Sequence, residues 1–267
     1  MPIAGTHGDI DYEESGSGPT VVLLPGSFST TSAWRPVAKL LTGRFRVVTT
    51  SLPGYGGTAE VRDADGRDIG RLAEAMETVI RAAGGPVHLV GHSFGGCVAM
   101  AVAVGRRVPL SGLTMFEANP VGVLLLAGEV ALHGQAHGML AAYAAATAAT
   151  IGDVAADVID FWGGAGSFAA MPDAVKAYVR ANAAVNARDW SSALAFAADA
   201  GAYRAVACPG HMVYGAEGHP VARRTAEILA DLLPRGRVSA MSGASHFMIS
   251  THVPEVAAII AADAAVG

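Results

Sequence analysis

Charge is scarce in this chain. Asp, Glu, Lys and Arg make up 15% of its 267 residues, and the net charge is −5. A nucleic-acid binder needs a basic stripe, and only the isolated pairs Arg106-Arg107 and Arg223-Arg224 occur, as suits solvated helix ends. A disordered chain would be poor in apolar residues, and here they reach 52%. Cysteine is nearly absent. Cys97 and Cys208 form no C-x-x-C pair, so zinc ligation has little support. A disulfide between them stays open beside the plainer reading of two buried thiols in a reducing compartment. The apolar run Val121 to Ala127 is too short for a bilayer, which needs about 20 residues. The start, Met1-Pro2-Ile3-Ala4, lacks a basic region followed by an apolar stretch. The expectation is a soluble, cytoplasmic protein with no signal peptide and no membrane or nucleic-acid partner.

What is present is a rhythm. Val21-Val22-Leu23-Leu24 ends in Pro25-Gly26, and Arg46 to Thr50 ends in the turn-rich Pro53-Gly54-Tyr55-Gly56-Gly57. Val87 to Val90 ends in Gly91, and Leu113 to Phe116 is a fourth run. Short apolar runs without alternation suit strands buried on both faces. Between them lies a helical pattern at Ile69 to Ala82, with Leu72, Met76, Val79 and Ile80 on one face. This order predicts a mostly parallel sheet with helices on both faces. From Asn119 to Ala205 the chain is rich in alanine and has no convincing strand, with Tyr143, Phe161, Tyr178 and Phe196 in helical stretches. The expected organisation is an α/β core over 1–118 and 206–267, with 119–205 as a helical lid. The rhythm resumes with strands at His211 to Tyr214 and Arg237 to Met241, and helices at Val221 to Leu233 and Pro254 to Ala265. The length fits one such domain with an insertion.

The third strand runs into Gly91-His92-Ser93-Phe94-Gly95, which fits G-x-S-x-G. A bare match recurs by chance as a glycine-rich turn. Here an apolar run precedes it and a helical run follows, the setting a nucleophile elbow requires. A serine on so sharp a turn needs small neighbours, which Gly91, Gly95 and Gly96 supply. Its hydroxyl would stand at a helix N-terminus, where a developing negative charge is favoured.

Four segments resemble the α/β-hydrolase superfamily. VVLLPGSFSTTSAW at Val21 to Trp34 is similar to its first strand and oxyanion loop. Leu52-Pro53-Gly54-Tyr55-Gly56 resembles its D-x-x-G-x-G turn, with Ser51 where Asp is frequent. GHSFGG at Gly91 to Gly96 resembles its elbow, and Gly243-Ala244-Ser245-His246-Phe247 its histidine motif. Pro25-Gly26 stands where relatives usually have His-Gly, which alters loop support and removes no catalytic group. The resemblance implies Ser93 as nucleophile and His246 as base, in the chain order nucleophile, acid, histidine. It implies oxyanion donors at the backbone N–H groups of Ser27 and Phe94, with the Ser27 hydroxyl either a third donor or a helix cap.

The acid is less direct. The superfamily's commonest position, after the strand at His211 to Tyr214, reads Gly215-Ala216-Glu217-Gly218 and holds no aspartate. Glu117 ends the strand that follows the nucleophile helix, where some haloalkane dehalogenases and related hydrolases carry their acid. A carboxylate ending an apolar strand needs a reason to be there. Glu117 is preferred, and Glu217 is the alternative.

The expected activity is hydrolysis of a carboxylic ester, or a related acyl compound, of a small to medium hydrophobic substrate. No metal or organic cofactor is implied. Phe28, Trp34, Phe94 and Phe247 near the motifs, with Trp162 and Trp190 in the insertion, suggest an apolar pocket. Two alternatives stay open. One is a carbon–carbon hydrolase acting on a diketone-like substrate, with Arg188 as its candidate clamp. The other is a receptor-like member that binds a ligand and hydrolyses slowly.

Overall fold

The structure, a computed structural model, describes residues 1–63, 66–150 and 153–265. Its strands are β1 (Ile3–Gly5), β2 (Gly8–Ile10), β3 (Glu13–Ser15), β4 (Thr20–Leu24), β5 (Arg46–Thr49), β6 (Val87–His92), β7 (Leu110–Phe116), β8 (Gly210–Gly215) and β9 (Gly236–Met241). The helices of the first half are α1 (Arg35–Leu41), α2 (Ile69–Ala83) and α3 (Phe94–Gly105). Between β7 and β8 come α4 (Val123–Leu126), α5 (Val130–Ala148), α6 (Ala155–Gly163), α7 (Ser167–Ala170), α8 (Asp173–Ala181), α9 (Ala183–Ala195) and α10 (Ala200–Arg204). The C-terminal helices are α11 (Pro220–Leu232), α12 (Met248–Thr251) and α13 (Val253–Ala264).

Seven strands form one sheet in the order β3-β5-β4-β6-β7-β8-β9. Only β3 runs antiparallel. Strand alternation divides the core in two. Val22, Leu24, Leu89, Leu113 and Met212 face α2, α3 and α11, while Val21, Leu23, Val90, Phe116 and Val213 face α1 and α13. Nearly every residue of β4 and β6 is fully buried, which explains apolar runs that do not alternate.

The chain leaves β4 for β5 on one side, then crosses to β6 on the other. The loops after β4 and β6 therefore diverge at a topological switch point, where open α/β sheets bind ligands. Register places Leu24 beside Gly91, so Ser27 and Ser93 follow from neighbouring strand ends.

The predicted strands and helices are present, with ends shifted by up to three residues. The N-terminal strands β1, β2 and β3 were not expected. Each has three residues, and among them only Ile10 is buried, so no apolar pattern marks them. Phe196 lies just past α9 with an extended backbone, not within a helix. Cys97 is buried and Cys208 half-buried, and both thiols are free. No described helix is long and apolar enough to cross a membrane.

A polar chain is buried beneath α13. His88 Nε2 lies 2.8 Å from Thr114 Oγ1, which donates to Asp263 Oδ2 at 2.6 Å. His211 Nδ1 is 2.9 Å from the same oxygen, and Arg237 pairs with Asp263 Oδ1. Burial pushes the His88 pKa down to about 4, with Asp263 opposing and His211 adding to the shift. An unfolded His88 takes up its proton near pH 6.5, whereas the folded one waits until about 4. Between those values the unfolded chain binds more protons, so stability falls as pH drops through that window. The expected loss from this residue is about 3 kcal/mol. His88→Gln should flatten the slope between pH 7 and 4.5 in urea unfolding; an unchanged slope would exclude the assignment.

Candidate active site

The turn after β6 is built around an unfavourable backbone. Ser93 has φ 53° and ψ −125°, and its N–H donates to Phe116 O at 2.9 Å. A Cβ on Gly91 would fall 2.6 Å from Gly96 Cα, and one on Gly95 would fall 2.2 Å from Pro25 O. The glycines of the motif are therefore required by contact. Phe28 (φ 57°) and Glu117 (φ 48°) also have left-handed backbones, so three of the five described non-glycine residues of that kind gather here. Such strain persists only where the surrounding structure imposes it, and it clusters at functional sites.

Ser93, His246 and Glu117 come together. His246 Nε2 is 2.9 Å from Ser93 Oγ, and Nδ1 is 3.1 Å from Glu117 Oε2. The Glu117 carboxylate is fully buried, and its Oε1 accepts the Gly215 N–H at 2.7 Å. The Glu117 N–H donates to Val213 O at 2.8 Å, tying the residue to β8. Glu217 is exposed on the loop after β8. The next residue, Gly218, lies against the Glu117 carboxylate: an added Cβ there would meet Glu117 Oε1 at 2.4 Å. The carboxylate from β7 thus fills the space beside the residue at which the superfamily's usual aspartate was sought.

Other groups were missed from sequence. His92 Nε2 donates to His246 O at 2.8 Å, and its ring lies 5.1 Å from that of His246. Burial, reinforced by His246, lowers its pKa to about 3, so it is neutral. Asn119 Nδ2 donates to Ser93 Oγ at 3.4 Å. Asp189 of α9 is fully buried and accepts from Ser27 Oγ at 2.6 Å, Tyr55 Oη at 2.6 Å and Arg62 Nη1 at 2.6 Å. Burial opposes charge on Arg62, but Asp189 and Glu60 beside it raise its pKa above the ordinary arginine value. An aspartate between Arg188 and Trp190 on a helix with an apolar face was the available signal.

Several expectations need correction. The Ser27 hydroxyl is spent on Asp189 and is neither a helix cap nor a donor toward Ser93. Arg188 pairs with Glu60 at 3.3 Å and does not line the cavity beside Ser93. Trp34 packs against Phe116 on the opposite side of the sheet, and Phe94 lies under Trp190. Ser51, found where relatives often carry Asp, donates to Asp11 Oδ2 at 2.7 Å, so the carboxylate at this turn comes from the N-terminal segment.

The cavity has a volume of about 120 Å³. Phe28, Phe247, Val158, Ile159, Trp162 and Trp190 form much of its wall, with Ser93 and His246 at its base. Trp162 stacks on His246 (centroids 5.6 Å apart) and on Trp190 (5.4 Å). No cluster of described residues could hold a metal ion.

A sequence profile of the alpha/beta hydrolase family matches residues 21–259. The chain belongs to that family. It is 32% identical over 116 residues to a pimeloyl-acyl-carrier-protein methyl ester esterase of Pseudoalteromonas atlantica, covering 43% of each chain. It is 33% identical over 96 residues to an (E)-2-((N-methylformamido)methylene)succinate hydrolase of Acinetobacter baylyi, covering 36% of each. These matches span less than half the length of the curated relatives. A solved esterase of Thermogutta terrifontis has the same fold, with TM-score 0.70 and 20% identity, covering 98% of this chain and 96% of that one.

Gly218→Ala should destabilise the family member described here by about 1–3 kcal/mol, the usual cost of overpacking. The cause would be displacement of Glu117, and thermal unfolding measures it. A variant as stable as the parent would mean that the carboxylate is not held against this glycine.

Proposed function

We propose that the protein is a serine hydrolase cleaving a carboxylic ester or related acyl compound through an acyl-enzyme. The observation that carries this reading is the continuous line Ser93 Oγ–His246–Glu117, at 2.9 and 3.1 Å, opening into an apolar cavity. Ser93 Oγ attacks the carbonyl carbon as His246 Nε2 takes its proton. Glu117 fixes the tautomer that carries hydrogen on Nδ1 and stabilises the imidazolium. The oxyanion rests on the N–H groups of Ser27 and Phe94, the latter being the first residue of α3. His246 returns the proton to the leaving alcohol. Water, deprotonated by the same ring, then releases the acid and restores Ser93.

The segment 119–205 acts as a lid in this reading, since α6 and α9 supply the tryptophans over His246. A cavity near 120 Å³ is below the roughly 150 Å³ that accommodates benzene, which favours short or compact acyl groups. The ester chemistry named for the Pseudoalteromonas and Thermogutta proteins agrees with this assignment.

A fluorophosphonate probe tests the reading: it should add its mass to Ser93 and leave Ser93→Ala unlabelled. Glu117→Gln should lower kcat about ten-thousandfold with little change in KM, as loss of the correct histidine tautomer does in a serine protease. Glu217→Gln should match the parent on the same ester panel. An inert Glu117→Gln substitution would remove Glu117 from the mechanism.

Asp189 is a positioning residue here, because it holds the loop that presents the Ser27 N–H. Ser27→Ala keeps that N–H and loses only the bond to Asp189. It should reduce kcat by about tenfold, part of what a whole oxyanion donor contributes, while KM stays near the parent value. A change confined to KM or to melting temperature would make the contact merely structural.

A further inference from the structure

Buried polar atoms almost always find a partner, so a cluster that does not is informative. Asn186 is 1% exposed, and neither its Nδ2 nor its Oδ1 has a hydrogen-bond partner among the described residues. The same holds for the indole Nε1 of Trp162 and of Trp190, both nearly fully buried. All three side chains line the cavity beside Ser93. Asn186 and Trp190 stand one turn apart on α9, and Trp162 stacks on Trp190. Of the eight such atoms in the described chain, four therefore belong to three residues that line one cavity.

The chemistry of that wall is specific. Indole nitrogens only donate, while a carboxamide both donates and accepts. Donors are in excess, with a single acceptor in Asn186 Oδ1. No lysine or arginine is among the lining residues, and the nearby Arg62 is already paired with Asp189 and Glu60. The wall therefore suits an oxygen function that accepts hydrogen bonds and carries no charge.

Resting on the serine-hydrolase reading, we propose that the acyl chain of the substrate carries an uncharged oxygen group, such as a hydroxyl, ketone or amide, which Asn186 binds with the indoles of Trp162 and Trp190. An unsubstituted hydrocarbon chain would leave these groups unpaired throughout the reaction. The apolar walls would then set the size of the substrate, and Asn186 its identity. Sites built to bond a polar substrate group discriminate strongly against analogues that lack it.

The test is a matched pair of similar size, methyl 3-hydroxybutanoate as the racemate and methyl 3-methylbutanoate. The parent protein should favour the hydroxy ester by about tenfold or more in kcat/KM. Asn186→Leu should abolish most of that preference, lowering kcat/KM on the hydroxy ester by about tenfold more than on the methyl-branched one. The change in ratio between the two proteins cancels the intrinsic reactivity of the esters. If Asn186→Leu fails to fold, Trp190→Phe, which removes one indole donor, should shift the ratio in the same direction. If turnover is too slow to measure, the relative affinities of the two esters for Ser93→Ala supply the ratio. No preference in the parent, or equal losses on both esters in the variant, would overturn the polar subsite. An unlabelled Ser93 with the fluorophosphonate would instead overturn the hydrolase reading beneath it.

Discussion

A single buried carboxylate organises the centre of this molecule. Glu117 follows the end of β7 with a left-handed backbone and reaches Gly215 N–H at the end of β8 and His246 in the loop after β9. A carboxylate in such surroundings is tolerable only when its oxygens are bonded. Its two partners come from chain segments about 100 and 130 residues away, so both loops are held at fixed distance from β7. Ser93 is drawn into the same arrangement through Phe116, the residue before Glu117, which accepts its N–H. The elbow, the histidine loop and the glycine at 218 are each shaped around that one side chain.

The helical segment between β7 and β8 is joined to the core by a second buried charge. Asp189 reaches from α9 to the loop after β4 and to Arg62, and all three bonds to its carboxylate are 2.6 Å. Removing one partner from such a pair usually costs several kcal/mol, about 3–5. The contact therefore fixes how α9 sits over Ser27, and with it where Trp190 and Asn186 lie. Apolar packing alone would allow a helix this rich in alanine to slide. A directional charge pair does not.

Much of this architecture was legible in the sequence, for reasons that can be stated. Buried parallel strands are short apolar runs closed by glycine or proline, and β4, β6 and β7 are that pattern. Ser93 was visible because steric need fixes glycine around it, and His246 because it follows the last strand in a small-residue loop. Glu117 was visible as a charge at the end of an apolar run. The contacts that escaped notice are those made between distant segments by residues with no local anomaly. Asn119 and Asn186 look like loop and helix-surface residues until the fold buries them. His92 carries no sign that its ring will brace the backbone of His246, and Asp11 none that it will serve the turn at Ser51. The short strands β1 to β3 were invisible because exposed three-residue strands carry no periodicity.

The stacking around His246 also has an optical meaning. The chain has three tryptophans, and two of them, Trp162 and Trp190, lie face to face over the imidazole. The third, Trp34, is buried on the far side of the sheet against Phe116. Excitation at the red edge of the near ultraviolet, beyond the absorption of the tyrosines, therefore falls on one pair of chromophores at the cavity and one reference in the core. Exciton coupling between the stacked indoles depends on their separation and tilt, so it registers any rearrangement of α6 against α9. The cavity is in effect spectroscopically labelled by its own walls.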